Sequence, residues 1–403
     1  MTFRTRLISH EIISGLGFGL FLAIQGVFFL EKGLELWQIG VLFGVLGTSA
    51  ALFEIPFGAT ADIYGRIKIY RISRLVHIVS IIALLLATQF WGFLIAAALI
   101  GLGQALSSGS VDAWVVERLN ADGKGDDLQS HLGVFQASMA GGITLGAILG
   151  GYVPGLFPHT DMFPATGWNL VVTVVVVALH LLATPLLFKE GEEIKPPEAR
   201  ETLVQQIRIA IRFSMTHKVV RDLLLLGVLL GITIASVDAY WQPQLFAILG
   251  KPTYVIFGWV TAGYFAMAIL GPMLISALAK AANISARVQV LVLPLILAAV
   301  LLALSLQTGF GTFIGVYLLF MLVFSMINPP VETLLNKEFT DDIRSSMQSI
   351  LSFVFMVGGA ISAFGFSQIV KRIGIADTWM VTAGVLCAAA LIFITSALLR
   401  RKS

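Results

Sequence analysis

Charge and cysteine are what this chain has least of. Of its 403 residues, 12% are Asp, Glu, Lys or Arg and 57% are hydrophobic, whereas soluble domains carry about 25% charged residues. That excludes a water-soluble globule and leaves a polytopic membrane protein. A single cysteine, Cys387, rules out an intrachain disulfide and offers no cysteine pair to a metal. The sequence holds no phosphate-binding glycine loop, no Ser/His/Asp set and no His/Cys ligand cluster. Its polar part is too short for a nucleotide-binding domain. The expectation is a non-enzyme without cofactor or metal, driven, if coupled at all, by an ion or substrate gradient. A net charge of +3 does not point to nucleic acid, because the basic residues are distributed as a membrane distributes them. Met1 to Arg6 lead into an apolar run without a small-residue cleavage site, which reads as a retained first span.

A spanning helix needs about 20 mostly apolar residues. Twelve such spans are expected near 8–30, 38–60, 73–90, 92–114, 131–153, 168–188, 222–246, 254–277, 287–306, 310–333, 346–370 and 377–399. An even number puts both termini on one side. Of the 26 Lys and Arg residues, 22 then fall on the side of the termini, and only Lys32, Lys251, Lys371 and Arg372 on the other. The excess of positive charge predicts cytoplasmic termini. Trp37, Trp91, Trp168, Trp241, Trp259 and Trp379 fall near the opposite ends, where an interfacial belt would sit. The one long polar segment, 189–221, separates a six-span half, 1–188, from a second, 222–403. Pro196 and Pro197 interrupt it. Leu203, Ile207, Ile211 and Met215 then recur at helical spacing, which predicts either a helix lying on the inner membrane surface or a solvated linker. Val111-Asp112 at the end of span 4 and Val331-Glu332 at the end of span 10 hint at an internal repeat.

Between spans 2 and 3 stand Gly58, Asp62, Gly65 and Arg66, followed by Lys68, Arg71 and Arg74. Gly58 lets two helices approach, and Gly65 supplies a turn that a side chain would obstruct. Asp62 and Arg66 put opposite charges into a very short loop, where one can face a helix terminus and the other an acid. The pattern resembles the loop between helices 2 and 3 of the major facilitator superfamily, G-x-x-x-D-x-x-G-R-[RK]. Ile67 stands where a basic residue is usual, and Lys68 follows one place later. The resemblance implies an all-α membrane protein of twelve helices in two pseudo-symmetric six-helix halves. It also implies a conformational latch of Gly58, Asp62, Gly65 and Arg66. There Asp62 would face the start of span 11 near Ser345 and Ser346, and Arg66 would pair with Asp112 or Glu117. In span 5, Gly141, Gly142, Gly146, Gly150 and Gly151 suit close helix packing. They also resemble the family's antiporter signature G-x-x-x-G-P-x-x-G-G, with Ala147 in the place of the proline.

Polar residues inside spans are functional candidates. Asp238, about 24 Å from the inner end of span 7 and close to Tyr240, Trp241 and Gln242, reads either as a proton or substrate site or as an interface acid bonded to a neighbouring helix. Glu54, one turn before Gly58, reads as a partner of Arg66, Arg71 or Arg74, or as a protonatable cavity group. His180 is either a packing histidine or a proton carrier, and His77 and Arg74 read as latch or headgroup contacts. Gln25, Gln104 with Ser107 and Ser108, and Asn328 form a neutral polar set. With Asp238 and Tyr240 they occupy spans 1, 4, 7 and 10, which line the cavity in the resembled family. The function expected is alternating-access transport of a small molecule across the cytoplasmic membrane by a monomer. Proton-coupled export of amphipathic drugs or metabolites comes first. A proton-coupled importer, a lipid or siderophore carrier, and a non-transporting sensor are the alternatives.

Overall fold

The computed structural model describes residues 3–108, 110–121, 128–188, 217–251, 253–338 and 341–399. Helices fill them. The first crossing is α1 (Phe3–Leu22) with α2 (Gln25–Glu31), the second α3 (Leu36–Tyr64) and the third α4 (Arg66–Leu86). The fourth is α5 (Phe90–Ser107) with α6 (Ser110–Ala121), the fifth α7 (Leu128–Leu156) and the sixth α8 (Gly167–Leu187). Crossings seven to nine are α9 (Lys218–Leu249), α10 (Tyr254–Ala282) and α11 (Ala286–Ser305). The tenth is α12 (Phe310–Ser325) with α13 (Asn328–Glu338). The eleventh begins as α14 (Asp341–Ile361) and passes through a π-helical turn, Ser362–Phe366, into α15 (Ser367–Leu399).

Eleven stretches among the described residues are long and apolar enough to cross a membrane, and one of them, Ile350–Ser396, is 47 residues long. At 1.5 Å per residue it would reach about 70 Å, more than twice the hydrocarbon thickness of about 30 Å. Gly374 resolves the excess. Its φ of +84° breaks α15 into the end of the eleventh crossing and the whole of the twelfth. The chain therefore makes twelve crossings.

Glycine-to-backbone contacts hold each half together, and the two halves repeat them. A methyl group on Gly142 or Gly146 of α7 would overlap the carbonyl oxygen of Ile12 or Leu16 in α1, and one on Gly150 would come within 2.5 Å of that of Leu20. Residue numbers rise together along both helices, so the first and fifth crossings run parallel. In the second half Gly231 of α9 meets Phe355 of α14, and Gly358 of α14 meets Val228 of α9, in the same way. Gly101 sets the second crossing against the fourth at Leu46, as Gly271 sets the eighth against the tenth at Leu322. The third packs on the sixth and the ninth on the twelfth.

Crossings one, four and ten are interrupted rather than continuous. At the first break, the amides of Ala23 and Ile24 still reach Gly19 O (3.1 Å) and Phe21 O (3.1 Å). At the third, Met326 and Ile327 reach Leu322 O (3.2 Å) and Phe324 O (3.2 Å). Lipid tolerates such breaks only where the backbone groups stay satisfied. The tenth crossing breaks just ahead of Pro329 and Pro330, which stand in the first turn of α13, where a missing amide hydrogen is tolerated.

The expected loop 61–72 is a single residue. Gly65 alone, at φ +95° and ψ 130°, joins α3 to α4, and the third crossing begins at Arg66 rather than at 73. Four basic residues within its first nine positions do not prevent the helix, because long cationic side chains carry their charge away from the stem. Two tryptophans assigned to the outer belt are interior. Trp379 is fully buried and donates to Ser236 O at 3.1 Å, and Trp241 stacks on Tyr317 with centroids 4.8 Å apart. Trp91 and Trp259 are exposed as a belt requires. The expected amphipathic helix at 201–216 lies outside the described residues.

Two compact units emerge. The first holds α1–α8 together with residues 254–262 at the start of α10, and the second holds the remaining helices. Glu31 explains why the start of α10 belongs to the first. Its carboxylate accepts from Thr166 Oγ1 and from Tyr254 Oη, each at 2.5 Å. Beside it, Lys32 Nζ caps the end of α4 by donating to Leu85 O (2.7 Å) and Ala87 O (3.2 Å). Partial burial draws that ammonium below the usual lysine range.

A candidate transport cavity with a buried polar layer

Inside the first half lies a cavity of about 420 Å³, within the range of small-molecule sites. Two helical stripes build most of its wall. On α1 and α2 the stripe runs His10, Ser14, Phe18, Phe21 and Gln25. On α4 it runs Tyr70, Arg74, His77 and Ile81, at offsets of four, seven and eleven. Residues so spaced share one helix face. Gln104 and Ser107 of α5, Phe135 and Met139 of α7, and Thr173 and Val177 of α8 close the remainder.

The charged side chains of the wall fall in one layer. Glu11 is eight positions into α1 and Arg74 eight into α4, while His180 is seven before the end of α8. By helix rise these lie about 10–12 Å from the same side of the half. His180 Nε2 meets His10 Nδ1 at 2.9 Å, and His10 Nε2 lies 3.4 Å from Glu11 Oε1. Both histidines are 2% exposed and Glu11 is 6% exposed. One imidazole nitrogen must donate and the other accept across the first contact. The three side chains thus follow one another through the interior.

Arg74 is 9% exposed. Its guanidinium carbon sits 4.8 Å from the centre of the Tyr70 ring, and its Nε donates to Ser73 Oγ at 3.3 Å. Tyr70 in turn packs 5.1 Å from the His10 ring. His77 Nδ1 lies 3.0 Å from Ser73 O, so that nitrogen carries the hydrogen and Nε2 is left as an acceptor. A Cβ on Gly103 would fall 2.6 Å from His77 Nδ1, so the glycine makes room for that ring.

This layer corrects several expectations. Arg74 and His77 are cavity residues rather than latch or headgroup contacts. His180 is buried, and its contact to His10 ties it to the cavity's polar layer. Gln25, Gln104 and Ser107 do line the cavity. Glu54 is exposed and accepts from Ser108 Oγ at 3.2 Å. In the second half, Asn328 Nδ2 donates to Glu332 Oε1 at 2.9 Å and is exposed. Tyr240 is 2% exposed, with its hydroxyl inside the packing rather than on a wall. Asp238 is half-buried, within electrostatic reach of Tyr264 and Tyr317. Gly65 and Arg66 form the turn already described. Gly58 and Asp62 fall in the last turns of α3 and Asp112 and Glu117 in α6, and their surroundings lie outside the described residues, as do those of Ser345 and Ser346.

Sequence reasoning missed His10, Glu11 and Tyr70. The signal was present in the adjacent titratable pair opening the first span. On α4 it was hidden, because reading 61–72 as a loop dissolved the Tyr70–Arg74–His77 periodicity.

The Major Facilitator Superfamily profile matches residues 11–363. An uncharacterised MFS-type transporter of Bacillus subtilis strain 168, YxaM, is 25% identical over 253 residues. That stretch is 59% of this chain and 57% of YxaM, so the chain spans little more than half the length of this curated relative. Solved structures share the fold at low identity. A mutant of the nucleoside transporter NupG superposes with a TM-score of 0.81 at 14% identity, covering 98% of this chain and 99% of that one. A bacterial homologue of the human lysosomal transporter Spinster, inward-facing and unoccupied, gives 0.74 at 15%, covering 98% and 95%.

Proposed function

The chain belongs to the Major Facilitator Superfamily, and from that premise we propose that it is a proton-coupled secondary transporter of small amphipathic molecules. It is a multi-pass membrane transporter of that fold; the coupling ion and the site are our reading. The observation that carries them is the buried Glu11–His10–His180 path at the cavity wall. A carboxylate and two imidazoles placed one after another are groups that can hand a proton along. The phenylalanines around them supply the apolar surface that an amphipathic molecule needs. We place the protein in the cytoplasmic membrane with both termini inside, on the distribution of its basic residues, and read it as a monomer.

Direction follows from the sign of the coupling. Export by proton exchange, expected from the glycine run of α7, requires proton and substrate to exclude each other at the polar layer. Import by cotransport requires each to favour the other. Purified protein in liposomes holding an internal pH dye distinguishes them, with arylalkanoates, lipophilic cations, amino acids and sugars as probes. Substrate-dependent proton movement that needs the imposed gradient is the expected result. Folded protein that moves no proton with any of these probes would contradict the proposal.

A further inference from the structure

Arg74 is the group that proton transfer leaves unused. It cannot lose its charge in a protein, it is nine-tenths buried, and it lines the cavity. Its partners are Ser73 Oγ through Nε and the Tyr70 ring face, and no ion pair joins it to an acid among the described residues. Its guanidinium carries the fork that recognises carboxylates bidentately, on a side chain that lines the cavity. Burying a cation is costly unless an anion answers it, and a cation–π contact covers only part of that cost. Glu11 stands at the same depth, with an oxygen 3.4 Å from His10 Nε2.

We propose that the cavity takes an amphipathic organic anion, its carboxylate held by the Arg74 guanidinium and its hydrocarbon part by the phenylalanine wall. The assignment rests on the transport reading of the same cavity and names its substrate class. The titratable and charged groups lining the cavity around the bound carboxylate are His10 and Glu11 from α1 and Tyr70, Arg74 and His77 from α4, with His180 of α8 in contact with His10. The bound anion and the Glu11 carboxylate repel, and proton uptake on the Glu11–His10–His180 path relieves that repulsion. Anion and proton therefore bind together, and the coupling is cotransport rather than exchange.

Thermal stabilisation of the purified full-length protein, in a neutral detergent without anionic lipid, tests this with naphthylacetate, phenylbutyrate and cholate. Their primary amides and the amines of the same carbon skeletons are the controls. Carboxylates should stabilise the protein where amides and amines do not, with affinity about 10- to 100-fold weaker in Arg74→Gln and partly kept in Arg74→Lys. Binding in weak buffer should take up protons in the natural protein and not in Glu11→Gln. Amides or amines binding as well as carboxylates, an unchanged affinity in Arg74→Gln, or silence of every carboxylate would each overturn the assignment. If phosphatidylglycerol alone reproduces the stabilisation and blocks naphthylacetate, the anion is a lipid headgroup, which also overturns a transported carboxylate. Stabilisation needs no proton flux. Intact flux with silent carboxylates removes only the substrate class, whereas carboxylate binding without any proton movement removes the coupling.

Discussion

Between His10 and His180 a single contact of 2.9 Å joins α1 to α8 and is one link of the proposed proton path. His180→Leu leaves a buried imidazole nitrogen without its partner, at a cost of about 1–3 kcal/mol. A lower thermal midpoint of the purified protein is the expected result, with His180→Gln recovering much of it. Equal midpoints for the natural protein and the leucine variant would show that the contact carries no stability. The sequence displayed His180 as a lone histidine, because its partner lies 170 positions upstream and no local pattern joins the two. Arg74 was legible as a charge but not as a place, since a cluster of four basic residues reads as a loop until the turn is known to be Gly65 alone. Glu11 could have been found as an acid inside a span. Asp238 was found that way, and the structure gives it tyrosine neighbours.

At the scale of elements the glycines of α7 divide sharply. Gly146 has no room for a methyl group against Leu16 O, while Gly141 has nothing within 4 Å. Gly146→Ala should cost about 1–3 kcal/mol by overpacking, whereas Gly141→Ala should be neutral or gain up to about 1 kcal/mol of helix preference. Heat inactivation of the two variants side by side measures this, and equal loss in both would mean that α1 and α7 do not meet through these positions. Gly65 carries a different constraint. Its φ and ψ lie where side-chain-bearing residues are strained, at about 1–3 kcal/mol each, so Gly65→Ala should lower the yield of folded protein without touching the cavity. The crossings themselves were legible from run length, because lipid demands about 20 apolar residues whatever they pack against. The breaks at 23–24 and 326–327 were less so. A break in a span depends on which carbonyls can still be reached, and only the Pro329-Pro330 pair announces one.

For the whole molecule, the repeat of first-with-fifth and seventh-with-eleventh packing gives both halves one construction, and twelve crossings return the chain to the side on which it began. Lys and Arg counts then predict which side that is, even with Arg74 moved from the loop to the interior. With Cys387 replaced by serine, Gln89→Cys should react with a membrane-impermeant maleimide on whole cells, and Ser285→Cys only after the membrane is opened. The reverse would invert the orientation. Concentrating coupling chemistry in the first half leaves Asp238 of the second as the rival proton site, and the two are separable. Substrate-dependent proton movement in liposomes should be compared for the natural protein, Glu11→Gln and Asp238→Asn, each first shown to be folded and inserted. The account predicts movement abolished in Glu11→Gln and retained in Asp238→Asn; movement retained in Glu11→Gln and lost in Asp238→Asn would contradict it.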